Sequence, residues 1–281
     1  MAQVALNQLR GMILYEFRMH WRRRPLLIMT LAFTLITVAA VLIAGDSLLK
    51  PNDLDVSTYN RVVTAYAIFT TWMPLGIGLV FILPVMVADT IPLDRQHGVR
   101  DLLDSLPVSR AVYLTGKLIG TWVAVLIGVG VGLFFCALVW RLRAGAFDVG
   151  KFAEMAIFGA GAIAVLNSSL GVLLAVGQPS RRRAIVVVTG FLTLFIFVLP
   201  LLMNNWDLRG SFNNETLNPI RIPIINYFMF NVQAEAGLGS NNPALLVSAA
   251  VVRDTILVGL VEIAVIWALA WGWLRWRGDR A

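Results

Sequence analysis

The sequence predicts an all-α membrane protein: six transmembrane helices, an N-terminal amphipathic helix before them, and a short amphipathic helix between the second and third spans. Three observations predict it. Residues of the AVILMFWYC class make up 58% of the 281, charged residues 14%, and mean hydropathy is +0.78. A soluble domain is about half apolar and roughly a quarter charged, so this chain cannot cover itself with a water-facing surface. Apolar runs of about 20 residues, enough to cross a hydrocarbon core, recur along its length. Finally, the basic residues segregate into alternate connections, which is how a membrane protein sets its orientation.

The N-terminal element comes first. Leu6, Leu9, Ile13, Phe17 and Trp21 recur at helical spacing, with Arg10, Arg18 and Arg22 between them. Such a stripe fits an interfacial amphipathic helix over residues 1–25, its basic residues near anionic lipid heads. The same stripe would also serve a helix packed on a soluble partner. The first span, Leu26 to Ala44, follows the Arg22-Arg23-Arg24-Pro25 stop. No small-x-small cleavage site follows Leu42-Ile43-Ala44, so it is expected to stay as an anchor rather than leave as a signal peptide.

The second span runs from about Val63 to Ile91 and contains Pro74 and Pro84; the third, Ala111 to Trp140, is long enough to tilt. Phe152 to Val176, Ala184 to Met203 and Ala244 to Trp273 complete the six. Pro84 and Pro200 should kink their helices. One side of these spans collects Arg10, Arg18, Arg22, Arg23, Arg24, Arg95, Arg100, Arg110, Lys117, Arg181, Arg182, Arg183, Arg275, Arg277 and Arg280, 15 of the 23 basic residues. That bias puts both termini in the cytoplasm, and the chain is expected in the plasma membrane as a multi-pass protein. The bias also accounts for the net charge of +7 without nucleic acid. Trp21, Trp273 and Trp276 fall at the expected inner boundary, and Trp72, Trp140 and Trp206 at the outer one.

The connection between the second and third spans is the most informative stretch. Val99, Leu102, Leu103 and Leu106 form an apolar stripe opposed by Arg100, Asp101 and Asp104; Pro107 ends the helix, and Ser109 can cap the next one. The order Asp94-Arg95, Gly98, Leu102-Leu103, Pro107, Ser109-Arg110 and Gly116-Lys117 resembles the cytoplasmic loop of ABC-2 type transporter permeases. The family more often has Glu at position 94 and Thr at position 99.

The resemblance implies that residues 92–107 form a cytoplasmic coupling helix seated on a separate ABC ATPase subunit. Leu93, Asp94, Arg95, Gly98, Asp101, Leu102, Leu103, Leu106, Pro107, Ser109, Arg110 and Lys117 would then be its coupling residues. It further implies one ABC-2 type transmembrane domain over residues 1–281, a second permease copy or paralogue, and an exporter. ATP and Mg²⁺ would be bound by the partner ATPase, with no cofactor in this chain. Residues 204–243, holding the apolar run Ile220 to Val232 with Pro219 and Pro223, are too short and broken to cross. They fit either a re-entrant or outer-surface helix, as such permeases carry, or a plain external loop.

No enzyme motif appears. A P-loop needs G-x-x-x-x-G-K-[ST]; here Gly116-Lys117 is followed by Leu118, and Ala111 holds the first glycine position. His20, His97 and Cys136 make no metal-ligand set. Within the spans, Glu262 is the clearest intramembrane charge and a candidate contact to substrate or a bound proton. A protonated carboxyl bonded to a neighbouring helix is its structural alternative. Asn167, Ser168 and Ser169 are a polar step that either glues helices or lines a substrate path. Gly116/Gly120 and Gly128/Gly132 have spacing that permits close helix contact. Two rival functions follow from the residues: a proton-coupled secondary transporter using Glu262, and a permease-like scaffold that matures another complex.

Overall fold

The structure, a computed structural model, describes residues 2–22, 24–43, 55–99, 108–145, 147–198, 222–238 and 246–278. Every regular element among them is a helix. Helix α1 spans Ala2–Arg22 and α2 spans Pro25–Ile43. They meet at Arg24, whose φ of 60° turns the chain, and Pro25 opens α2 where its missing N–H costs nothing. Helices α3 (Val56–Gln96), α4 (Arg110–Ala144) and α5 (Val149–Ala175) form the centre. Helix α6 (Arg181–Thr193) continues through a π turn, Leu194–Val198. A short helical segment, α7, begins at Ile222–Asn226 and ends at Val232–Glu235, and α8 is Ala249–Gly278.

Among the described residues, five helices are long and apolar enough to cross a membrane: α2, α3, α4, α5 and α8. Six are expected, and the difference lies in Ala184 to Met203. That stretch is described only to Val198, in a helix whose first three residues are Arg181, Arg182 and Arg183.

The second span differs from expectation in extent. It is helical from Val56 to Gln96 rather than from Val63 to Ile91, apart from a turn at residues 88–89. Pro74 lies inside it and is followed by the π turn Gly78–Ile82, a common companion of a disrupted hydrogen-bond ladder. Asn167 Nδ2 on α5 donates to the carbonyl of Leu79 within that turn at 3.3 Å.

Glycines set how closely the helices approach. A Cβ on Gly116 would lie 2.6 Å from Met12 Cβ, and one on Gly120 2.6 Å from Glu16 Cβ. Gly128 and Gly132 receive Leu26, Thr30 and Thr34 in the same way. Both small-residue pairs therefore seat α1 and α2 along α4, in the same chain direction. Gly171 does the equivalent for α5, where a Cβ would fall 2.3 Å from the carbonyl oxygen of Pro84.

One expectation about facing is corrected. Trp72 and Trp140 are buried rather than at a lipid boundary. Trp72 donates to the carbonyl of Ile225 at 3.2 Å and meets Phe228 edge to face, because α7 packs against α3 there. Helix α1 buries Glu16 and His20, while Leu9, Ile13 and Phe17 of its apolar stripe are half-buried and the stripe's ends, Leu6 and Trp21, stay exposed. The reason is steric: the glycine step on α4 admits the Met12–Glu16 face.

Candidate functional site

At the end of the bundle where α1 sits, three elements bring charged side chains together inside protein. Lys117 on α4 places Nζ 2.6 Å from Glu16 Oε2 on α1 and 2.7 Å from Asp94 Oδ2 on α3. The side chains of Lys117 and Glu16 are each 1% exposed, and that of Asp94 4%. Tyr113, one turn before Lys117, donates its hydroxyl to the same Asp94 oxygen at 2.9 Å. Lys117 Nζ also lies 3.5 Å from the carbonyl of Thr90.

Beyond Glu16 the network continues. His20 Nε2 is 3.3 Å from Glu16 Oε1 and 3.1 Å from Thr121 Oγ1. Thr121 spends its own proton on the carbonyl of Lys117 at 2.8 Å. The proton between His20 and Thr121 therefore sits on Nε2, which is then a donor. Burial alone would push the Glu16 carboxyl up, but Lys117 and then His20 outweigh it and hold the carboxyl below its ordinary value of 4.5.

These contacts clamp the base of the connection between α3 and α4. Its first residues close α3: Gly98 has φ 67°, a left-handed position suited to glycine past a helix end. Its last residue before α4 is Ser109, whose side chain caps the helix by accepting from the N–H of Val112 at 3.2 Å. Asp94 and Lys117, on opposite sides of the connection, are ion-paired, so its two ends are held together.

Two arginines tie the base outward. Arg95 donates to the carbonyls of Val176 and Gln178 at 2.6 and 2.7 Å, just past α5, and lies over the ring of Trp273 on α8. Arg110 donates to the carbonyls of Leu274 and Arg275 at 2.9 and 3.1 Å. Arg95 thus satisfies carbonyls just past the end of α5, and Arg110 joins the start of α4 to the last turns of α8.

Residues 12–274 match the sequence model of the ABC-2 family transporter proteins. The chain belongs to the ABC-2 transporter family. No curated protein matched the sequence. Family membership makes the chain a membrane protein and a membrane-transport component.

In this ABC-2 chain, of the residues singled out by sequence, Asp94 and Lys117 meet in the ion cluster, Arg95 and Arg110 bond instead to α5 and α8, Gly98 and Ser109 stand at the two ends of the connection, and Leu93 lies half-buried beside Asp94. Asp101, Leu102, Leu103, Leu106 and Pro107 lie outside the described residues. Asn167 and Ser168 are buried deep in α5. Ser168 donates to the carbonyl of Val165 at 3.2 Å, and Ser169 accepts from Trp122 Nε1 at 2.7 Å. With the Asn167–Leu79 bond, this polar step joins α5 to α3 and α4. Glu262 is half-buried on α8, apart from the clamp.

Sequence reading missed Glu16, the third member of the ion cluster. Its signal was present: it is the only acidic residue in α1, four residues before His20, in a helix otherwise marked by arginine.

Proposed function

We propose that this chain is the permease subunit of an ATP-driven ABC-2 exporter, coupled to a separate cytoplasmic ATPase through the connection between α3 and α4. The observation that carries the proposal is the Glu16–Lys117–Asp94 cluster. It joins α1, the end of α3 and the start of α4 into one unit at the root of the coupling segment. A push delivered to Leu102, Leu103 and Leu106 therefore reaches three helices at once, which is what a two-state membrane packing needs. Breaking such a buried cluster is costly, so the unit moves as a body.

The Arg-rich α1 end faces the cytoplasm of the plasma membrane in this reading, with both termini there. ATP and Mg²⁺ belong to the ATPase, and this chain contributes no chemistry of its own. A second permease copy or paralogue completes the path across the bilayer. Glu262 is a candidate contact to the transported molecule.

The test is co-purification from native membranes using a tagged chain. The wild type is expected to bring down an ATP-hydrolysing subunit. A variant with Leu102, Leu103 and Leu106 replaced by Glu is expected to lose it while still inserting in the membrane. Full ATPase retention by that variant refutes the coupling assignment.

A further inference from the structure

The end of the bundle remote from α1 carries a pocket of about 640 Å³ that the coupling reading does not use. Its volume falls within the range of small-molecule sites. Ser57, Asn60, Arg61 and Thr64 line one wall, spaced so that they share one face at the start of α3. Facing them are Asp148 and Lys151 at the start of α5 and Glu235 at the end of α7.

Internal bonds fix some of this polar wall. Thr64 Oγ1 donates to the carbonyl of Asn60 at 2.6 Å and accepts from the N–H of Asp148 at 2.8 Å. Asp148 Oδ1 caps α5 by accepting from the N–H of Lys151 at 3.1 Å. Lys151 and Glu235 are ion-paired across the rim. Other polar capacity is left over. The Oδ1 of Asn60 is shielded from solvent and has no hydrogen-bond partner among the described residues. Arg61 reaches the hydroxyl of Thr58 at 3.3 Å and feels the charge of the exposed Asp55, with no ion pair to any carboxylate of the pocket wall among the described residues.

We propose that this pocket binds a small zwitterion, its anionic group on Arg61 and its ammonium on Asn60 Oδ1 and Asp148. The charges on the wall balance: Arg61 and Lys151 against Asp148 and Glu235. A ligand of single charge upsets that balance, whereas a zwitterion meets both signs. Arg61 presents a planar fork of donors suited to a carboxylate or phosphate. A buried amide oxygen and a carboxylate are acceptors suited to an ammonium. The same chemistry is presented by a free peptide or by the phosphoethanolamine head of a lipid. Phe147 adds an apolar surface to the pocket.

The experiment uses the full chain in detergent micelles, without any ATPase, so its outcome is separate from that of the coupling test. Thermal unfolding is followed against increasing glycylglycine, phosphoethanolamine, ethylamine and inorganic phosphate. A saturable rise in midpoint is expected with at least one of the two zwitterions and not with the single-charge probes. Response to glycylglycine alone identifies a peptide-like ligand; response to phosphoethanolamine alone identifies a lipid headgroup. R61Q is expected to weaken the apparent affinity about tenfold, the loss of one charge-assisted contact, and R61K to recover part of it. N60L should weaken it as well. No response to either zwitterion, an equal response to ethylamine or phosphate, or unchanged affinity in a folded R61Q overturns the proposal.

Discussion

Replacing Lys117 with Met keeps most of the side-chain stem and removes only the ammonium at the centre of the clamp. Glu16 and Asp94 are then left without the cation that lies 2.6 and 2.7 Å from them. Both are nearly shut off from water, at 1% and 4% side-chain exposure. Removing one partner from a buried ion pair typically costs about 3–5 kcal/mol, because the remaining charge stays desolvated. Here two carboxylates lose the same partner, so the loss should sit at the upper part of that range. Protonation of one carboxyl at neutral pH would limit it. The assay is unfolding of the detergent-solubilised chain, comparing Lys117→Met with the triple variant that also carries Glu16→Gln and Asp94→Asn. The single variant is expected to be the less stable, and neutralising both acids should restore much of the loss. If Lys117→Met unfolds within about 1 kcal/mol of wild type, the cluster is not a structural clamp. If the triple variant is no better than the single one, unpaired charge is not the cause.

The remaining predictions concern neighbouring features. Because the Glu16 carboxyl is held below 4.5 in the folded chain, its contribution is fully present above that pH and lost as pH falls through the folded value. Acid unfolding of Glu16→Gln should therefore lack part of the wild-type loss below about 4.5; identical acid profiles would contradict this. Gly171→Ala introduces a Cβ 2.3 Å from the carbonyl oxygen of Pro84, with backbone on both sides, so α5 and α3 must separate. A loss of about 1–3 kcal/mol in thermal or denaturant unfolding is expected, against little change for Gly190→Ala, where the added carbon meets nothing within 4 Å.

Much of the architecture was legible in sequence because its causes are local. Apolar runs mark spans wherever length meets bilayer thickness. Ser109 was recognisable as a cap, and Gly98 stands where the helix ends, since each acts on its own backbone. Gly116/Gly120 and Gly128/Gly132 pointed to close contact, and the structure identifies α1 and α2 as the helices received. The family was readable from the order of residues around the α3–α4 connection and is carried by the match over residues 12–274.

What the sequence could not decide was which side of each helix faces protein. In water, an apolar face has only one place to go. In a bilayer the surroundings are as apolar as the interior, so hydropathy defines a span without defining its buried face. Trp72 and Trp140 show the consequence: their placement near span ends fitted a lipid boundary, yet both lie inside. The same holds for Glu16. Composition made it one acidic residue in a basic helix, and only the approach of α4 at Gly116 and Gly120 turned it inward to Lys117. Length, hydropathy and charge bias follow from the chain itself. The ion cluster required three segments distant in sequence to converge, and tertiary packing alone brings them within bonding distance.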